Sequence, residues 1–172
     1  MAWQHVSIME FNTHIFHAWD KEWFLLTCGD YDKQDFNSMT VAWGSLGIMW
    51  SKPFAQVVVR PTRYTYEFMN KYDTFTLCAF DREYRKALQL LGSTSGRDGD
   101  KIAASGLTPM PSHDVASPGF QEARLLLECR KIYWQDFDHT QFLDPSIEQK
   151  YSNNDYHRVY FGEIVGIWQR EG

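Results

Sequence analysis

NSMTVAWG (residues 37–44), continued by WSKP (50–53) and VVVRPTRYT (57–65), is the stretch whose reading decides the fold. Its apolar alternation and β-branched residues predict one strand over Met39–Ile48 and another over Ala55–Val59. Gly44 and Gly47 fall between Trp43 and Trp50, which marks a hairpin. Pro61 breaks the second strand. Thr65 then suits the N-cap of a short helix, Tyr66–Lys71, with Glu67 in its first turn. Strand, tight connection, strand and helix start follow one another directly, with hydroxyls, arginines and tryptophans packed among them. That mix suits a flat aromatic ring carrying a phosphate on a polar tail.

Working outward, Glu22–Cys28 reads as a strand followed by a turn over Gly29–Asp32. Thr74–Phe80 alternates as a strand. Asp81 can cap a helix over Arg82–Leu91, whose apolar side is Ala87, Leu88, Leu90 and Leu91 and whose stop is Gly92. Ser93–Lys101 reads as a loop and Ile102–Ser105 as a short helix ended by Gly106. Pro109, Pro111 and Pro118 mark an irregular connection. Glu122–Phe137 and Arg158–Gln169 are long strand patterns, with a helical turn opened by Asp144-Pro145 between them. The first twenty residues are aromatic and histidine-rich without a clear period. Strands outnumber helices and do not alternate with them, which argues against a doubly wound parallel sheet. A mainly β, antiparallel barrel with short helical inserts fits better.

The 172 residues suit one domain with its own core. A composition 44% hydrophobic and 16% aromatic excludes a disordered chain. The formal charge of −5 excludes the clustered basic surface that nucleic-acid binding needs. Cys28, Cys78 and Cys129 lie far apart in apolar strand-like runs, with no C-x-x-C among them. They read as buried, reduced thiols, hence a reducing compartment. With no signal-peptide pattern and no apolar run of membrane-spanning length, the expected location is the cytoplasm and no membrane partner is expected.

Several chemistries find no support. Neither G-x-G-x-x-G nor G-x-x-x-x-G-K-[ST] occurs. GSTSG (92–96) resembles a nucleophile elbow, but its middle residue is Thr94. His14 and His17 have no third ligand nearby, so no metal is expected. The Ser93–Lys101 loop is more informative: it offers three hydroxyls, two glycines, Arg97 and Lys101, all able to serve an anion. A solvated surface loop is the plainer alternative, unless the loop meets Arg60, Arg63 and Thr65 in space. Those residues sit at a strand-to-helix corner, where exposed N–H groups favour a phosphate. Trp50 is expected in the core. Trp43 shares a segment with Asn37 and Thr40 that could face a heterocycle.

Taken in order, N-x-M-T-V-A-W-G (37–44), W-x-K-P (50–53), V-R-P-x-R-Y-T (59–65), F-T-L-C-A-F (75–80) and S-G-R-D-x-D-K (95–101) resemble the flavin reductase-like family of FMN-binding split barrels, in its flavoredoxin-type branch. The resemblance spans roughly residues 22–168 and leaves 1–21 as an N-terminal extension of a single domain. It implies a six-stranded antiparallel Greek-key split barrel, a homodimer and bound FMN. By this resemblance Asn37, Met39, Thr40, Val41, Ala42 and Trp43 line the flavin ring. Arg60, Arg63, Tyr64 and Thr65 gather at the phosphate with Ser95, Gly96 and Lys101. His139 and the Tyr156-His157 pair complete the site. The implied activity is an NAD(P)H-dependent flavin reductase, with NADH or NADPH as co-substrate, an unknown acceptor and no catalytic side chain. The alternatives are a flavoredoxin-like electron carrier served by a redox protein partner, and a non-catalytic ligand-binding barrel.

Overall fold

The computed structural model describes residues 2–170. Ten strands form: β1 (Trp3–His5), β2 (Phe24–Asp30), β3 (Asp35–Val41), β4 (Gly44–Met49), β5 (Lys52–Val59), β6 (Thr74–Ala79), β7 (Pro109–Met110), β8 (Gly119–Phe120), β9 (Leu125–Asp136) and β10 (Arg158–Arg170). β7 and β8 make a two-stranded ribbon, and the other eight form one antiparallel sheet. Its order is β3-β2-β6-β9-β10-β5-β4, with β1 also paired to β10. The helices are α1 (Ile15–His17), α2 (Tyr64–Lys71), α3 (Arg85–Ser93), α4 (Lys101–Ser105) and α5 (Pro145–Glu148).

β3 and β4 lie at opposite ends of this order, yet only Ala42 and Trp43 separate them. Three extended peptide steps reach about 10 Å, so the sheet must roll until its edges meet. β3 pairs only with β2 and β4 only with β5, which leaves a seam where no ladder runs. The segment read as a single strand, Met39–Ile48, is therefore broken at Ala42–Trp43. Counted as one bent strand, it gives the order β6-β2-β3/β4-β5, the Greek-key path. The eight strands are the six expected, with one divided at the seam and β1 added.

Period-2 side chains fill the barrel. Phe24, Leu26 and Cys28 of β2 face inward with Phe75, Leu77, Val57, Val59, Leu127 and Tyr160. The opposite face is also buried: Leu25, Cys78 and Leu126 pack beneath Ala87, Leu88 and Leu91 of α3 and Leu107. That double burial explains why β2 reads as a continuous apolar run. Gly92, expected as a helix stop, lies instead within the last turn of α3, which ends at Thr94. A Cβ there would meet the Cβ of Thr40 at 3.1 Å, so the glycine lets α3 lie close on β3.

The N-terminal segment is part of the fold. β1 extends the sheet beside β10, and Ala18 and Trp19 enter the core. Trp50 departs from expectation. It is 57% exposed at the tip of the β4–β5 hairpin, where Trp50 and Ser51 form the two-residue turn. Their φ angles of 51° and 57° are those such a hairpin turn demands, and the indole lies on the outside of the sheet against Tyr133 and Phe161. The three cysteines are buried and unpaired, as expected. Burial holds Cys28 and Cys78 up at about 12.

Candidate functional site

The seam opens into a cavity of about 210 Å³, lined by Met39, Thr40, Val41, Ala42, Trp43, Val58, Arg60, Arg63 and His157. A second cavity of about 180 Å³ is lined by Met39, Thr62, Arg63, Tyr64, Thr65, Leu91, Ser93, Thr94, Ser95, Asp98 and Lys101. Met39 and Arg63 belong to both, so the two form one elongated site. Residues far apart in sequence meet here for topological reasons. β3 supplies the first wall, α2 begins at the end of β5, and α3 with the loop after it folds back across β3.

The second cavity has the character of an anion site. Arg63 is the N-cap of α2 and makes no side-chain capping bond. The first N–H groups of a helix have no partner within it, and at this end the helix dipole favours negative charge. Lys101 is only 6% exposed. Its Nζ donates to the carbonyls of Leu91 (3.0 Å) and Thr94 (2.9 Å), and it pairs with no carboxylate among the described residues. Burial first, and the Arg63 charge second, depress its pKa from 10.5 to about 8. A buried amine next to a guanidinium, with only carbonyls around it, is a site that gains from a bound anion. Asp98 is the one acidic residue in the wall.

Packing beneath the cavity is tight. Asn37 donates from Nδ2 to Thr65 Oγ1 at 2.7 Å, tying β3 to the first turn of α2, and both residues are buried. Thr65, expected as the N-cap, instead lies two residues past it, within the first turn, and holds the helix start in place. A Cβ at Gly96 would come within 2.4 Å of Asn37 Oδ1 and 2.9 Å of Tyr64 Cδ1. The loop can close over this floor only with glycine at that position. Arg97 turns away: it donates to Glu67 and to the Thr62 carbonyl and lies over the Tyr64 ring.

At the seam, Thr40 donates from Oγ1 to the Leu88 carbonyl at 2.5 Å, which fixes β3 beneath α3. Trp43 is 48% exposed and leans on His157, with ring centroids 5.4 Å apart. It lines the seam cavity and does not enter the core. Arg60 also lines this cavity, away from the anion end. Its guanidinium is committed to Asp155 (2.7 Å), to the Lys150 carbonyl (2.8 Å) and to the face of Tyr151. It therefore clamps the segment before β10 over the seam. His139 lines neither cavity; it stacks on Tyr156 at 5.0 Å on the exposed side of that segment. His157, its neighbour in the same segment, is the histidine that reaches the cavity. Val58, Thr62, Leu91 and Thr94 complete the walls, and the β5 alternation gives a signal only for Val58.

Among the described residues, no group of three or more His, Cys, Asp or Glu side chains is arranged to hold a metal, and no helix is long and apolar enough to cross a membrane. The site fits a flavin mononucleotide. It has an open end flanked by an indole and an imidazole, and a closed end with two cations and the start of a helix.

Solved structures of other proteins share this architecture. The FMN-binding domain of a flavin reductases-like enzyme from Shewanella baltica is 17% identical, with 98% of this chain and 77% of that one covered at a TM-score of 0.70. The flavoredoxin of Desulfovibrio vulgaris is 25% identical, covering 93% and 74% at a TM-score of 0.68. An FMN-binding protein from Thermus thermophilus with bound 1-cyclohex-2-enone is 20% identical, covering 91% and 75% at a TM-score of 0.69. The family model described as the flavin reductase like domain matches residues 21–172, nearly the whole chain beyond its N-terminal segment. With the split barrel and its seam, that match places the chain in the flavin reductase-like family.

Proposed function

We propose that this chain binds FMN at the seam and works as an NAD(P)H-dependent flavin oxidoreductase. The observation that carries the reading is Lys101, a buried amine beside Arg63 and the start of α2 with no carboxylate among its partners. Lys101, Arg63 and the α2 amides bind the phosphate, with Ser95 beside them and Gly96 allowing the close approach. Met39 to Trp43 orient the ring along the edge of β3, and Arg60 holds the 150–157 segment across it. When bound, FMN supplies hydride acceptance and onward electron transfer; the protein binds, orients and shields. In this reading no side chain need act as acid or base.

Similarity to a flavoredoxin supports a second reading, an electron carrier reduced by a protein partner. In either case a homodimer is expected. The exposed aromatic pair of Trp50 and Tyr133, packed together over Phe161, is a surface where a second copy can bury apolar area. The test is a titration with FMN followed by NADH and NADPH oxidation. Tight FMN uptake with nicotinamide turnover supports the reductase. Uptake without turnover supports the carrier, and a colourless protein refutes both.

A further inference from the structure

His157 stands at the ring cavity with only one edge of its imidazole explained. Its Nδ1 lies 2.7 Å from the Tyr151 hydroxyl. Both residues are buried, His157 at 8% exposure and Tyr151 at 4%. Among the described residues that hydroxyl has no other partner, so a proton on Nδ1 would leave the phenol hydrogen without an acceptor. The phenol therefore donates to Nδ1, and a neutral imidazole must then carry its hydrogen on Nε2. Nε2 has no protein partner among the described residues and is not sealed in the interior. His157 lines the seam cavity, and the ring edge away from Tyr151 is the one free to meet it.

Burial and the two nearby guanidinium groups keep the ring neutral. Burial first, then the Arg60 charge and to a lesser degree that of Arg63, lower its pKa to about 4 against the opposing carboxylate of Asp155. The guanidinium of Arg60 also lies over the Tyr151 ring, 4.8 Å from its centroid, so the orienting phenol is itself held by the clamp on Asp155.

We propose that His157 is the neutral hydrogen-bond donor of the ring cavity: Tyr151 fixes its tautomer, and Nε2–H is presented to an acceptor atom of the flavin. This rests on the FMN reading above. A donor at that place favours the electron-richer reduced ring over the oxidised one. His157 is thus a tuning residue, with Tyr151 positioning it.

The test has two readouts. Long-range ¹⁵N–¹H correlation on the apoprotein should show the Nε2–H tautomer of His157, and Tyr151→Phe should lose that preference. In the FMN-loaded protein, His157→Leu should lower the preference for reduced over oxidised FMN about tenfold, which is about 30 mV for a two-electron couple. His157→Gln keeps an N–H at the same reach and should restore the wild-type potential. An Nδ1–H tautomer in the wild type overturns the proposal. So does a His157→Leu potential equal to wild type, or a His157→Gln potential as low as that of the leucine variant. If the wild type takes up no FMN, the flavin reading falls and the proposal with it. If all variants take up FMN and their potentials agree, only the donor falls.

Discussion

Lys101→Met separates the cost of a buried amine from its use. In the ligand-free fold, the Lys101 pKa falls from 10.5 to about 8. Keeping it charged at neutral pH costs at most about 3 kcal/mol, and about 1–2 kcal/mol once residual solvent screening is allowed. Against this stand two bonds to the Leu91 and Thr94 carbonyls, each contributing about 1 kcal/mol. The two nearly offset. Methionine fills the same volume, and the urea midpoint of the apoprotein should move by less than about 1 kcal/mol at pH 7. The pH dependence should change more. A base whose folded pKa lies below its unfolded value destabilises the fold below about 8, and that cost is relieved as pH rises from 8 to 10.5. Wild-type apoprotein should gain stability across that window, and the variant should lose that gain. Binding should respond in the opposite sense. An anion restores the charge, so FMN affinity in the wild type should fall as pH rises past 8, with proton uptake on binding. Losing one charge-assisted contact should weaken FMN about tenfold to a hundredfold at pH 7. Flavin fluorescence quenching across a pH series measures this. Equal FMN affinity in Lys101→Met and wild type, with the same pH profile, would refute the phosphate assignment.

Gly96→Ala should push the 95–96 loop off Asn37 and Tyr64, costing about 1–3 kcal/mol in urea unfolding and weakening FMN at least tenfold; an unchanged affinity would place the ligand elsewhere. Asn37→Ala removes the bond to the α2 start and should destabilise the fold by about 1–2 kcal/mol by thermal melt. The His157 pKa, lowered to about 4, means that the unfolded chain takes its proton first, so stability should fall as pH drops from 6.5 toward 4. His157→Gln should flatten that slope, and urea midpoints at pH 7 and pH 5 would show whether it does. Trp43→Ala, at a half-exposed side chain, should cost less than about 1 kcal/mol yet shift the visible spectrum of bound FMN.

What the sequence made legible was local. Alternation over 74–80, the apolar run over 22–28 and the long strand patterns over 122–137 and 158–169 give strands close to β6, β2, β9 and β10. The break at Ala42–Trp43 is not announced: Gly44, which follows it, and Gly47 read as hairpin markers, yet both lie within β4. The break arises from closure of the sheet, a tertiary event with no local signature. The Trp50-Ser51 turn is equally silent, because neither residue belongs to the pairs that favour positive φ. β1 is three residues long and exists through its partner β10. In the site, Arg63, Thr65, Ser95 and Lys101 were readable because hydroxyls and cations cluster near a helix start and a glycine loop. The role of Arg60 was hidden by its partner Asp155, far along the chain, and His139 and His157 could not be told apart without the fold.

The seam between β3 and β4 leaves a stretch of barrel wall outside the register of the ladder. Substitutions at Ala42, Trp43 or His157 disturb no strand pairing, since none of these residues belongs to a strand. The barrel therefore has a position where recognition can be rewritten at small cost to folding. A library restricted to Ala42 and Trp43, which unlike His157 hold no buried hydrogen bond, should yield mostly folded variants, with differences concentrated in which planar compounds the seam cavity takes.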